Sequence, residues 1–280
     1  MTGAPWRGAS GGGILRAAAE ARGMLFRDLP DGSWLAVSQP MHALVSGQIL
    51  RAWGAPGFAR PDPFEDLATA CAQHDVAWME WETAPTFDPA TGRPHVFRAV
   101  GARDHAPMWA EGVRRALFAW GPWVALLVSR HGSRIYSAYF DRHRSDERDR
   151  AAAEAYRTDQ ALVQAALAAE VGATPQQVDT AAALVAVTDA LSLAVCGGIE
   201  TLGGAGEAPM ADGSLVPLQF REEAGVCAIS PWPFAVPEVT LGWTARRFAP
   251  GARWADEAAM RGALAAAPVE RVTARLVPGG

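Results

Sequence analysis

The chain has 280 residues and a mass of 29.6 kDa, enough for one large domain or two small ones. Half of it is hydrophobic and 20% is charged, which excludes a disordered, fibrous or collagen-like polypeptide. Its 25 basic and 30 acidic residues give a net charge of −5 with no basic block, so general nucleic-acid binding is not expected. All 25 basic residues are arginine, which removes Schiff-base and P-loop lysine chemistry. Cys71, Cys196 and Cys227 are too scattered for a disulfide framework and form no Cys-x-x-Cys pair for a thiolate zinc site. No signal-peptide pattern precedes Ile14, and no run of about 18 apolar residues marks a membrane span. The expectation is a cytoplasmic protein with a loose tail over residues 1–13 and no membrane partner.

Residues 14–38 are expected to hold an N-terminal hairpin, because two apolar runs flank Pro30-Asp31-Gly32. Pro40 opens a first helix that runs to about Trp53, and Gly54 and Pro56 stop it. A second helix is predicted from Pro63 to Glu82, with Leu67, Ala70, Cys71, His74, Trp78 and Trp81 at helical spacing. A third runs from Asp104 to Trp120, and Gly121-Pro122 separates it from a fourth ending near Tyr139. A charge-dense turn over 141–150 opens a fifth helix at about 147–171. Thr174, Pro175 and Gln177 form a capping-box start for a sixth helix, which ends at Gly197-Gly198. Beyond residue 200, Leu215–Phe220, Gly225–Ser230, Val239–Trp243 and Val269–Val277 read as short strands. The fold class is α+β, mainly α. A helical core over 39–198 is flanked by a β-rich extension over 199–280, and the hairpin and late strands form one antiparallel sheet.

The helices carry an ordered set of ligand-type residues. His42 lies in helix one, His74 and Asp75 in helix two, His105 in helix three, His131 in helix four and Asp189 in helix six. Side chains from facing helices of a bundle converge readily on metals. Mixed imidazole and carboxylate ligands suit zinc, iron, manganese or nickel better than magnesium or calcium. Asp75 has two oxygens and is able to bridge two ions, and six ligands are more than one tetrahedral site needs.

This order resembles the HD-domain superfamily, whose pattern is a His, a His-Asp doublet and a distant Asp on helices. Dinuclear members insert two further histidines, and His42, His74-Asp75, His105, His131 and Asp189 match that fuller pattern in residues 39–198. The resemblance implies that His42, His74, Asp75 and Asp189 hold one metal and that Asp75, His105 and His131 hold a second. Nearly the whole chain also resembles an uncharacterised bacterial family, a domain of unknown function. The matching pieces are Gln39-Pro40-Met41-His42-Ala43, His74-Asp75-Val76-Ala77-Trp78, Asp88 to Pro94, Asp189 to Leu193 and Pro231-Trp232-Pro233-Phe234. Met41 and Ala77 depart from its commonest form, which has an acidic residue and a glycine there.

Among the other candidates, His95 in a Pro/Gly loop and His143 among arginines read as surface residues. Trp78, Trp81, Trp109, Trp120 and Trp123 are expected around the ligands, with Trp78 one helical turn past His74 and facing a substrate. Arg130 and Arg134 flank His131 and suit an anionic group on a small-molecule substrate. HD-like sites run two reactions. One is oxidation by two iron ions with dioxygen as co-substrate, as in myo-inositol oxygenase and its phosphonate-cleaving relatives. The other is hydrolysis of a phosphate ester or anhydride, for which manganese or zinc also serves. The aromatic neighbourhood and the long interval between His131 and Asp189 resemble the oxygenase branch of that superfamily more closely, and the resemblance therefore favours oxidation. A catalytically silent ligand-binding module is the third possibility.

Overall fold

A computed structural model describes residues 23–140, 145–199, 206–223 and 225–279. The expected tail at 1–13, the first part of the hairpin segment and His143 lie outside these residues. The chain is α+β and mainly α, as the sequence predicts.

Strands β1 (Leu25–Asp28) and β2 (Trp34–Val37) form the hairpin. Helix α1 spans Gln39–Ala52, with the Ser38 hydroxyl accepting from the Met41 N–H and Pro40 in the first turn. Helix α2 spans Phe64–Gln73, and Glu65 and Asp66 in its first turn suit the helix dipole. The predicted single helix from Pro63 to Glu82 is therefore corrected. It breaks at the His74-Asp75 doublet, resumes as a 3₁₀ turn at Val76–Trp78 and ends in the short α3, Met79–Glu82. The periodicity gives no warning, because the 3₁₀ turn still buries Val76, Ala77 and Trp78.

Strands β3 (Phe87–Asp88) and β4 (Arg93–Pro94) then pair as a small ladder. Helices α4 (Ala102–Trp120) and α5 (Pro122–Arg134) follow, and Gly121 between them has a φ of 91° that an L side chain would resist. The fourth predicted helix changes after Arg134 into a π-helical turn, Ile135–Tyr139. Helix α6 spans Glu147–Val171, and α7 spans Pro175–Gly197 with the expected Thr174–Gln177 capping box. Contrary to expectation, α7 is long and apolar enough to cross a membrane, but most of that apolar stretch is buried inside the protein. Its place here is that of a core helix.

Strands β5 (Glu207–Pro209) and β6 (Leu215–Pro217) make a second small ladder. The remaining elements are β7 (Gln219–Glu223), β8 (Val226–Ser230), β9 (Val239–Phe248), helix α8 (Glu257–Ala266) and β10 (Val269–Pro278). One six-stranded sheet joins both ends of the chain in the order β1-β2-β9-β10-β8-β7. It is not wholly antiparallel as expected: β8 and β10 run parallel, with Cys227 opposite Leu276.

The alternation along β2 explains how the sheet is covered. Leu35 and Val37 enter the main helical core, whereas Trp34 and Ala36 face Phe248 and the Met260 and Leu264 side chains of α8. Helix α1 is fixed to the sheet by Gln48, whose amide donates to the Gly242 carbonyl and accepts from its N–H. Against this support α1 packs on α2 and α7, and α5 packs on α2, α4, α6 and α7.

Candidate metal centre

Five of the six expected ligands converge where α1, α2, α5 and α7 meet. His42 projects from the first turns of α1, and its Nε2 lies 2.6 Å from Asp75 Oδ2. Its Nδ1 is 2.8 Å from the Ser192 hydroxyl and 3.8 Å from Asp189 Oδ1. Ser192 donates its own hydrogen to the Asp189 carbonyl, so it accepts from the His42 Nδ1–H. That turns the lone pair of Nε2 toward the Asp75 carboxylate. A lone pair and a carboxylate oxygen at this distance repel, so the contact needs a proton on Nε2 or a cation held by both.

His74 repeats the arrangement at the end of α2. Its Nδ1–H donates to the Cys71 carbonyl at 2.8 Å, which leaves Nε2 pointing inward. Nε2 lies 3.3 Å from Asp189 Oδ1 and 3.8 Å from Asp75 Oδ2, yet it is buried and makes no hydrogen bond. Burial alone would lower the His74 pKa, but the charges of Asp75 and Asp189 overcome this and hold it at about 9. Both carboxylates respond in kind: burial opposes their ionisation, and the surrounding imidazoles hold them below the usual range. The helix break serves this geometry. Asp75 has φ −101° and ψ 21°, the bridge region between helix and strand, and this redirects its carboxylate toward His42.

His131, on α5, stacks edge-on to His74 with ring centroids 4.6 Å apart. Its Nδ1 is buried without a partner, and burial together with the charge of His74 lowers its pKa to about 4. Asp189 is the most open member, with its side chain 17% exposed. Two overlapping triads bring one donor atom per residue within 4.8 Å of each other: His42, His74 and Asp75, and His74, His131 and Asp189. The residues fit a transition metal on chemical grounds. Two imidazole nitrogens are buried unpaired, carboxylates stand beside them, and the other nitrogens of His42 and His74 are held by Ser192 and Cys71 as ligand imidazoles usually are.

His105 stands apart. It is buried beside the cluster, but both ring nitrogens are engaged, Nδ1 with the Tyr136 hydroxyl at 3.0 Å and Nε2 with the Trp109 indole N–H at 2.7 Å. Because Trp109 can only donate, Nε2 is the acceptor and the ring is neutral. Burial lowers its pKa to about 3. Coordination through Nε2 would have to displace Trp109.

The expected aromatic ring is only partly present. Trp109 packs on His131 and His105, and Trp78 packs on His105 with centroids 5.1 Å apart. Trp78 is 2% exposed and forms wall rather than opening, since the break at the doublet removes it from the helical face of His74. Trp120 and Trp123 instead line a separate hollow with Asp62 and Asp66. Arg130 pairs with Asp179, and Arg134 is exposed; no guanidinium hydrogen-bonds to any cluster residue among the described residues. His95 is half-buried and contacts Thr86. Ser46, Thr188 and Ser192 were not expected at the site. Ser46 donates toward Ser192 and the Thr188 carbonyl, forming a hydroxyl seam behind His42. The available signal was their spacing, with Ser46 four residues after His42 and Ser192 three after Asp189.

The fold and site define a mainly helical α+β protein with a buried His/Asp cluster suited to a metal ion. The chain belongs to the family described as "Protein of unknown function (DUF3891)", whose model matches residues 24–249. No curated protein and no solved structure matches it.

Proposed function

We propose that this chain is a metal-dependent enzyme of the HD-like type, centred on His42, His74, Asp75 and Asp189, with His131 beside them. The observation that carries the proposal is the His74 Nε2, a buried and unpartnered nitrogen held between two carboxylates. Such a group is costly unless a proton or a metal cation completes it, and the flanking carboxylates favour either. A redox metal such as iron would supply dioxygen activation here, and a redox-inert one would supply a polarised water.

Oxidation of a small substrate is the favoured reaction. The surroundings are aromatic, with Trp78, Trp109 and Tyr136 around the histidines and, among the described residues, no guanidinium bonded to the cluster. Phosphoryl recognition usually draws on such cations. Within this reading His42 and His74 hold their ligand nitrogens in one tautomer through Ser192 and Cys71, and the tryptophans exclude water. Phosphohydrolysis is the second reading. It is favoured by His105, whose two engaged nitrogens leave the cluster without the sixth ligand of a two-metal set.

Elemental analysis of protein purified without chelator is the first test. Less than about 0.5 metal per chain would refute the metal reading. A mixed-valent di-iron EPR signal that shifts on substrate addition supports oxidation. Manganese-dependent phosphatase turnover without that signal supports hydrolysis. Replacing His131 by Ala should lower metal content more than replacing His105 by Ala.

A further inference from the structure

A run of aromatic rings in mutual contact leads from the cluster to the surface. His131 and Trp109 have ring centroids 5.4 Å apart, and Trp109 and His105 5.7 Å. His105 lies 5.1 Å from Trp78, and Trp78 lies 5.9 Å from Trp81. Trp109 and Trp78 are buried. Trp81 is half-buried and lines an open hollow of about 310 Å³ with Arg103, Glu111 and Arg115. The three tryptophans come from α4, the 3₁₀ turn after the doublet and α3. The helix break that redirects Asp75 thus also sets Trp78 against His105.

Packed rings alone are ordinary core. The hydrogen bond of Trp109 is not. The indoles of Trp53 and Trp232 donate to backbone carbonyls, those of Ala59 and Val236. The Trp109 indole donates instead to His105 Nε2 at 2.7 Å. A carbonyl oxygen accepts the hydrogen bond but does not take the proton; an imidazole nitrogen does both. An indole that has lost an electron becomes a far stronger N–H acid. Trp109 is therefore built to release an electron and a proton together. The positive charge left behind is buried whether Trp109 or His105 carries it. The burial that keeps His105 neutral at rest acts on both alike.

We propose that Trp109 is a redox-active residue, and that Trp78 and Trp81 connect it to a one-electron donor in solvent. One electron passes from the Trp109 ring to a dioxygen- or peroxide-derived oxidant at the centre, while the Nε1 proton crosses to His105 Nε2. Trp78 then refills Trp109 across the His105 contact, and Trp81 refills Trp78. A soluble donor of the enediol class is oxidised by one electron in refilling Trp81, and the proton returns to Nε1. An oxidising equivalent not spent on substrate leaves by this route instead of damaging the ligands. The purpose of the path rests on the oxidation reading of the metal centre, but its electron and proton chemistry does not.

The test is freeze-quench EPR on the full chain, loaded anaerobically with ferrous iron and mixed with hydrogen peroxide, with and without ascorbate. Iron content is measured on every sample. The wild type should give an organic radical whose signal narrows when its tryptophans are ring-deuterated, and ascorbate should quench it. Trp109→Phe should lose the signal. His105→Leu, which leaves the indole N–H without a proton acceptor, should lose it too at equal iron content. Trp81→Phe should form the signal and keep it in the presence of ascorbate.

An iron-loaded wild type without a radical, or with one that tryptophan deuteration leaves unchanged, would overturn the proposal. So would a signal that survives in Trp109→Phe or His105→Leu, or one that ascorbate quenches equally in Trp81→Phe. If Trp109→Phe does not fold, the deuterated wild type and Trp81→Phe decide. A chain that holds no iron would refute the metal reading instead. Photogenerated tris(bipyridine)ruthenium(III) then replaces peroxide as the oxidant. A tryptophan radical that Trp109→Phe or Trp81→Phe diminishes would support the path, and one that neither changes would overturn it.

Discussion

Removing metal should reverse the response of this protein to alkaline pH. His74 is fully buried, and in the metal-free chain the carboxylates of Asp75 and Asp189 raise its pKa from 6.5 to about 9. The folded state then binds a proton more tightly than the unfolded one by about 2.5 pK units, worth roughly 3 kcal/mol. This contribution is complete below about pH 6.5, where the unfolded histidine is protonated too, and is lost as the pH rises through about 9. The Glu82 carboxyl, which burial raises to about 8, adds a loss of the same sign at somewhat lower pH. Metal-loaded protein should behave differently, since the ion replaces the proton on Nε2 and deprotonation favours its binding. The assay is urea unfolding of chelator-treated and metal-loaded protein at about pH 6 and about pH 9.5, followed by tryptophan fluorescence. His74→Gln should flatten the metal-free profile by its own share, and Glu82→Gln by the remainder. Metal-free protein whose stability holds or rises across this window would refute the reasoning, as would a loaded protein that loses stability in parallel.

Three further outcomes test the surroundings of the cluster. A Cβ on Gly47 would lie 2.6 Å from the Ala72 Cβ, so Gly47→Ala should wedge α1 from α2, cost about 1–3 kcal/mol in urea unfolding and reduce bound metal in elemental analysis. Ser192→Ala removes the acceptor that fixes the His42 tautomer, and metal affinity by competitive chelation should fall about 10–100-fold. Arg130→Ala should leave metal content unchanged and shift stability by less than about 1 kcal/mol, because it breaks only a surface pair with Asp179.

The helix ends were legible because local chemistry sets them. Thr174, Pro175 and Gln177 mark the start of α7, and Gly198, with a φ of 62°, marks its end. Strands β8, β9 and β10 were legible from alternation, but β5 was not, and the single strand expected at Leu215–Phe220 is divided between β6 and β7, which belong to different sheets. The parallel pairing of β8 with β10 was not legible either, since nothing local encodes a partner distant in sequence. Helix α8 escaped notice because only Met260 and Leu264 are buried in an alanine-rich stretch, too few to register as a period. At the centre, the identity and order of the ligand-type residues were visible in the sequence. Their hydrogen bonds were not: spacing says nothing of Trp109 and Tyr136 closing on His105, or of Glu82 returning to Gln39. The departure at Ala77 does have a structural counterpart. Gly112 of α4 lies against it, and a Cβ there would come within 2.6 Å of the Ala77 methyl.

Helix α7 has the length and apolarity of a membrane span, yet Asp189 sits well inside it. On insertion scales, an aspartate near the middle of such a helix costs about 2.5–3.5 kcal/mol. The carboxylate that helps complete the cluster therefore also weighs against lipid while the chain is still unfolded.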